Sequence, residues 1–167
     1  VVTFAVVAAV AYLVDVATKV LAVDRLSDGD VALLGDWFSL TLVRNPGAAF
    51  GMGTGFTFFL SLLATAAVVT ILWFSRRLGS RLWAVALGLL LAGIAGNLTD
   101  RLLREPGLMH GHVIDFFRLP SWPVFNVADI CINVGGGLLL LAVLRGIEID
   151  GRRAGRDEAP DRGSVTP

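Results

Sequence analysis

A mostly apolar chain is interrupted at a few places by carboxylates, amides and cations whose spacing is regular. Asp15 and Lys19 stand at i,i+4, on one helix face, where they can pair. Asn97, Asp100 and Arg101 fall at i, i+3 and i+4, again on one face. Asn126 and Asp129 are three apart, with Asn133 one further turn along, and Asp115 sits between Val113-Ile114 and Phe116-Phe117. Asn45 opens Asn45-Pro46-Gly47, a strong turn signal. Asp115 and Asp129 are the pair with reactive potential. Two nearby carboxyls in a low-dielectric site cannot both ionise easily, so their pKa values split. One can then act as base toward water while the other, protonated, donates to a peptide carbonyl. This is aspartic-protease chemistry, and it calls for no metal and no cofactor. The remaining polar groups have blander readings. Asp15 and Lys19 either form a salt bridge that admits both to apolar surroundings or take part in binding. Asn97, Asp100 and Arg101 read as a network that braces the site, and Asn126 and Asn133 suit hydrogen bonding between helices. His110 and His112 flank Gly111 with no third ligand at metal spacing. Ser61, Ser75 and Ser121 have no histidine at obvious triad spacing, and the lone Cys131 reads as a small packing residue.

These residues need a scaffold, and the composition says what kind. The 167 residues are 55% hydrophobic and only 17% charged, against about 25% charged in soluble domains. Mean hydropathy is +0.73. Such a chain cannot cover a soluble globule with polar surface. Its net charge of +0 excludes a nucleic-acid partner held by bulk electrostatics. Four windows have the roughly 20 apolar residues that a membrane crossing needs: 1–23, 56–75, 82–103 and 124–144. The expectation is an all-α membrane protein, with one four-helix domain over 1–145. Arg76, Arg77 and Arg81 lie between the second and third spans, and Arg145, Arg152, Arg153, Arg156 and Arg162 follow the fourth. The positive-inside rule makes both regions, and so both termini, cytoplasmic. The loops 24–55 and 104–123 then face outward. In the first, Val31–Leu34 and Trp37–Val43 flank Gly35-Asp36 and predict a hairpin or small sheet on the membrane surface. The second holds Pro106, Gly107, Gly111, Pro120 and Pro123 and is expected to be mostly irregular. The segment 146–167 is expected to be a disordered tail. On this plan nearly every polar group of the spans gathers at the outer side, and such groups are functional by default. A proton-coupled transporter is the main rival, but the inner halves of the spans carry no ionisable residues to form a continuous path.

The blocks Asp15-Val16-Ala17-Thr18-Lys19, Asn45-Pro46-Gly47-Ala48-Ala49-Phe50, Gly96-Asn97-Leu98-Thr99-Asp100-Arg101, Val113-Ile114-Asp115-Phe116 and Phe125-Asn126-Val127-Ala128-Asp129 follow one another in this order. In that order, on a four-span plan, they resemble the bacterial lipoprotein signal peptidase (signal peptidase II) family. The resemblance implies an endopeptidase of the bacterial cytoplasmic membrane, with its site on the extracytoplasmic side. It would cut diacylglyceryl-modified prolipoproteins just before the lipidated cysteine. The family's catalytic aspartates map onto Asp115 and Asp129. Asn97, Asp100, Arg101 and Asn126 support and line the site, while Asp15, Lys19 and Asn45 fall near the substrate or inhibitor groove. A small extracytoplasmic β-structure between the first two helices and sensitivity to cyclic peptides such as globomycin are implied as well. Pro46 departs from the pattern, since many members carry a small hydroxyl residue there. With its own polar site, the bundle is expected to work as a monomer in contact with membrane lipid.

Overall fold

A computed structural model describes residues 1–35, 37–47 and 56–153. Ala48–Phe50 of the second block, Asp36 and the segment 154–167 lie outside the described residues. Among the described residues, four helices are long and apolar enough to cross a membrane: α1 (Val2–Arg25), α2 (Thr57–Phe74, prolonged by a 3-10 turn to Arg77), α3 (Arg81–Leu103) and α4 (Val127–Leu144). At 1.5 Å per residue α1 is about 36 Å long, more than a hydrocarbon core requires. Its polarity is inverted relative to a helix in water. Asp15, Lys19 and Ala22 point inward, and Val6, Val10, Leu13, Val14, Val20 and Leu21 point out. That arrangement suits lipid as the surrounding solvent.

α3 is the central helix and packs against the other three. Small residues make this possible. A Cβ on Gly93 would stand 2.4 Å from the Ala128 carbonyl oxygen, and one on Gly96 2.2 Å from Asp15 Oδ2. At these two positions α4 and α1 approach α3 too closely for any side chain.

The hairpin expected in the first outer loop is present as β1 (Val31–Ala32) and β2 (Ser39–Asn45), paired antiparallel with Val31 opposite Leu40. The second strand begins two residues later than predicted. A third strand, β3 (Val113–Arg118), comes from the loop between α3 and α4 and completes the order β1-β2-β3. It interrupts the loop predicted to be mostly irregular. The β2–β3 register runs Ser39–Arg118 and Leu40–Phe117, slips by one residue, and resumes as Val43–Asp115 and Asn45–Val113. The slip is a bulge in β2, and it sets which β2 side chains face Asp115. On one face of β3, Ile114 and Phe116 pack on Ala22 and Leu26 at the end of α1. α4 starts three residues later than the predicted span, because Asn126 caps it.

Residues 146–153 differ from the expected disordered tail. Ile147 bridges Arg153, the Ile149 carbonyl accepts the N–H groups of Gly79 and Ser80, and Trp83 Nε1–H donates to the Ile147 carbonyl at 2.8 Å. Apolar Ile149 packs into the α2–α3 end of the core, which composition alone did not reveal.

Candidate active site

Asp115 and Asp129 come from different elements, and Asn126 hydrogen-bonds to both. Asp115 is the third residue of β3 and is almost fully buried. Asn45 lies diagonally across the β2–β3 pairing and donates Nδ2–H to Asp115 Oδ2 at 2.8 Å. The orientation of the Asn45 amide is fixed, because its Oδ1 accepts the Gly47 N–H at 2.9 Å. Asn126 donates Nδ2–H to Asp115 Oδ1 at 2.6 Å. It is also the N-cap of α4, in a capping box with Asp129. Asp129 Oδ2 accepts the Asn126 backbone N–H at 3.1 Å, and Asn126 Oδ1 accepts the Asp129 N–H at 3.0 Å. Asn126 therefore holds one carboxyl with its side chain and the other with its main chain. The second oxygen of Asp129 accepts from Asn97 Nδ2 at 3.0 Å.

The next layer of contacts fixes Asn97. Its Oδ1 accepts from Lys19 Nζ at 2.8 Å and from Asn126 Nδ2 at 3.1 Å, which turns its own Nδ2 toward Asp129. Buried Lys19 uses its three hydrogens on three acceptors: Asn97 Oδ1, Asp15 Oδ2 at 2.9 Å and Asp100 Oδ2 at 2.9 Å. Asp15 Oδ1 accepts the Ala128 N–H at 2.8 Å, so a carboxylate on α1 caps the first turn of α4. Asp100 pairs with Arg104 through Oδ1, while its Oδ2 accepts the Ile114 N–H of β3 at 3.2 Å. Asp15 and Asp100 are thus balanced by Lys19 and Arg104. What remains is Asp115, Asp129 and the Arg101 guanidinium, whose Nη1–H donates to the Asn97 carbonyl at 3.3 Å.

Both carboxyls line one cavity of about 510 Å³. Its polar wall includes Asn45, Asn97, Arg101 and Asn133, and its apolar wall includes Trp122, Phe125, Ile130 and Val134. That size and mixed lining suit a peptide segment with an apolar flank. A larger cavity of about 680 Å³, at the other end of the bundle, is lined chiefly by apolar residues such as Phe74, Leu87 and Leu139 and lacks a carboxyl pair. Burial, above all, pushes the Asp115 carboxyl up to about 6; the Asn45 amide opposes this, and the charge of Asp129 adds to it.

Residues 7–145 match the family model described as signal peptidase (SPase) II. The chain belongs to the signal peptidase II family. A lipoprotein signal peptidase of Mycolicibacterium smegmatis is 52% identical over 163 residues, covering 95% of this chain and 69% of that protein. Those of Leifsonia xyli and Mycobacterium avium are 49% and 51% identical, covering 99% and 93% of this chain and 77% and 87% of their own lengths. Two solved bacterial membrane enzymes superpose with TM-scores of 0.73 and 0.75 at 25% and 26% identity, covering 86% and 87% of this chain and 88% and 94% of theirs. A signal peptidase II is a peptidase, and this chain is a multi-pass membrane protein of that family.

Within this signal peptidase II fold, eight of the ten residues singled out in the sequence form one network joined through their side chains: Asp15, Lys19, Asn45, Asn97, Asp100, Asp115, Asn126 and Asp129. Arg101 and Asn133 join it through main-chain carbonyls, of Asn97 at 3.3 Å and of Asp129 at 2.8 Å, and both line the cavity. Two contributors were not foreseen. Arg104 carried a signal, its i,i+4 spacing from Asp100. Trp122 carried little, being one exposed aromatic among loop prolines.

Proposed function

We propose that the protein is an aspartic endopeptidase that removes signal peptides from diacylglyceryl-modified prolipoproteins, cutting just before the lipidated cysteine. The observation that carries this reading is the double grip of Asn126 on Asp115 and Asp129 at the wall of one cavity. Asp115, whose pKa is raised, holds the shared proton, which leaves Asp129 as the base. The scissile carbonyl oxygen accepts a hydrogen bond from the Asp115 O–H. Asp129 takes a proton from a water molecule as the water oxygen bonds to the carbonyl carbon. The tetrahedral intermediate forms with its oxygen protonated by Asp115. Its collapse returns that proton to Asp115 and breaks the C–N bond. The proton held by Asp129 passes to the leaving amine of the cysteine. The products are a signal peptide with a free carboxyl group and a lipoprotein with a free amino group, so no acyl-enzyme is required.

The site lies beside the sheet at one end of the bundle, and Arg76, Arg77, Arg81 and Arg145 lie at the other. With the arginines cytoplasmic, both termini are cytoplasmic and the carboxyls face outward. Asp129 is then only about 5 Å into α4, near the depth of a lipid-anchored cysteine in the outer leaflet. Cyclic peptides of the globomycin type would compete for the same cavity.

The test is cleavage of a diacylated prolipoprotein by the purified protein in liposomes, with the new amino terminus read by mass spectrometry. A terminus at the lipidated cysteine, and no product from the unlipidated precursor, is the expected result. Cleavage elsewhere, or equal cleavage without lipid, would overturn the assignment.

A further inference from the structure

A second cleft adjoins the catalytic cavity, and Trp122 forms a wall of both. It encloses about 530 Å³ at the end of the sheet where Ser39 pairs with Arg118. Asp30, Ser39, Arg118 and Ser121 give its lining a more polar character than that of the catalytic cavity, with Ala32, Leu119 and Pro120 beside them. Its outer rim is the excursion from Leu119 to Val124. The chain leaves β3 at Arg118, turns through Ser121 at φ +57°, and returns to exchange main-chain hydrogen bonds between Phe125 and Phe117. Trp122, on this excursion, lines both spaces. Across the cleft, Arg118 Nη1 meets Asp30 Oδ2 at 3.4 Å, with both side chains more than half exposed. A pair so long and so wet adds little to stability and opens readily. Opened, it presents a fork of N–H donors and a carboxylate acceptor, the two complements of a peptide main chain.

We propose that this cleft binds the mature-chain side of the substrate, the extended segment that follows the lipidated cysteine. The inference rests on the peptidase reading above and adds a subsite to it. Continuity supplies the first argument, because Trp122 lines both the carboxyl pair's cavity and the cleft. Reach supplies the second. Arg118 lies three residues along β3 from Asp115, about 10 Å at strand rise, with its side chain on the opposite face of the strand. An extended chain leaving the carboxyl pair therefore reaches Arg118 by rounding the Trp122 edge, which takes more than about three residues beyond the cut. Solvent supplies the third. The signal peptide is apolar and belongs with the lipid-facing helices, whereas the mature chain must leave toward water, and this cleft is polar and borders the site. Arg118 would donate to main-chain carbonyls and Asp30 would accept main-chain N–H, a recognition of backbone that tolerates many side chains.

The test compares two diacylated substrates with the same signal peptide, one ending directly after the cysteine and one continuing for six residues. The unaltered protein should cleave the longer with about tenfold higher kcat/KM, the scale of one or two charge-assisted hydrogen bonds. Arg118→Ala, and separately Ala32→Trp to fill the cleft, should erase that advantage and leave cleavage of the short substrate unchanged. The preserved short-substrate rate also reports that each variant is folded. Equal cleavage of both substrates by the unaltered protein, or variants that slow both alike, would overturn the subsite while leaving the peptidase intact. Cleavage of neither by the unaltered protein would overturn the peptidase reading and the subsite with it.

Discussion

At the scale of the residue, the proposed mechanism turns on the proton of Asp115. Burial raises its pKa to about 6, well above the ordinary carboxylate range. The native state therefore binds this proton more tightly than the unfolded chain does. Stability from this group is fully present below the ordinary carboxylate pKa and is lost as pH rises through about 6. Activity follows the same limb if Asp115 is the proton donor: kcat/KM, which reports the free enzyme, should fall as pH rises through about 6. A pH series of cleavage rates checks this, and a profile that rises through that range would contradict the assignment of the proton to Asp115. Residue types and spacings disclosed most of this site beforehand. Asp15 and Lys19, or Asn126 and Asp129, are spaced to share a helix face, and polar groups within an apolar span cost too much to be idle. Their partners were not legible. That Asp15 reaches across to the Ala128 N–H, or that Asn97 relays Lys19 to Asp129, depends on which helices are neighbours, and helical period does not encode that.

At the scale of the element, the site depends on how closely α1, α3 and α4 approach. Gly96 lets the Asp15 carboxylate lie against α3, where Lys19 reaches Asp15, Asn97 and Asp100 together. Gly96→Ala should force these helices apart, lowering the unfolding midpoint in detergent by the equivalent of about 1–3 kcal/mol and reducing cleavage with it. Gly136→Ala, with no neighbour within 4 Å of its new Cβ, is the control and should leave both unchanged. Equal effects at the two glycines would mean that close packing at Gly96 does not set the site. The hairpin of β1 and β2 was legible because Trp37–Val43 is β-branched and aromatic between turn signals. β3 was not. Val113 to Phe116 are buried on both faces, so the strand shows no alternation, and the prolines and glycines around it read as loop. The bulge in β2, which sets Asn45 diagonal to Asp115, left no mark in the sequence. The turn at 146–153 was hidden by its charged composition, although Ile147 and Ile149 are the residues that dock it.

At the scale of the whole molecule, the two ends differ. The short α2–α3 connection carries Arg76, Arg77 and Arg81 and Arg145 follows α4, whereas the buried carboxyl and amide network, with Arg101 and Arg104, gathers at the other end beside the sheet. By the positive-inside rule this asymmetry would orient the protein with the arginine-rich connection cytoplasmic. In a Cys131→Ala background, a cysteine at Arg77 should react with an impermeant thiol reagent only from the cytoplasmic side, and one at Ser121 only from outside. The opposite labelling would place the carboxyls on the wrong side for an outer-leaflet substrate. The fold class and the order of spans were readable from composition and charge, because lipid imposes stricter rules on a chain than water does. The central claim is that Asp115 and Asp129 together activate water. Its most direct measurement is single-turnover cleavage of a diacylated prolipoprotein by purified Asp115→Asn and Asp129→Asn, each checked for an unchanged unfolding midpoint. Each substitution is near-isosteric yet removes an ionisable carboxyl, and each should lower the rate by about 10³-fold or more. A folded variant of either kind that keeps cleaving at a rate near that of the unaltered protein would contradict the account.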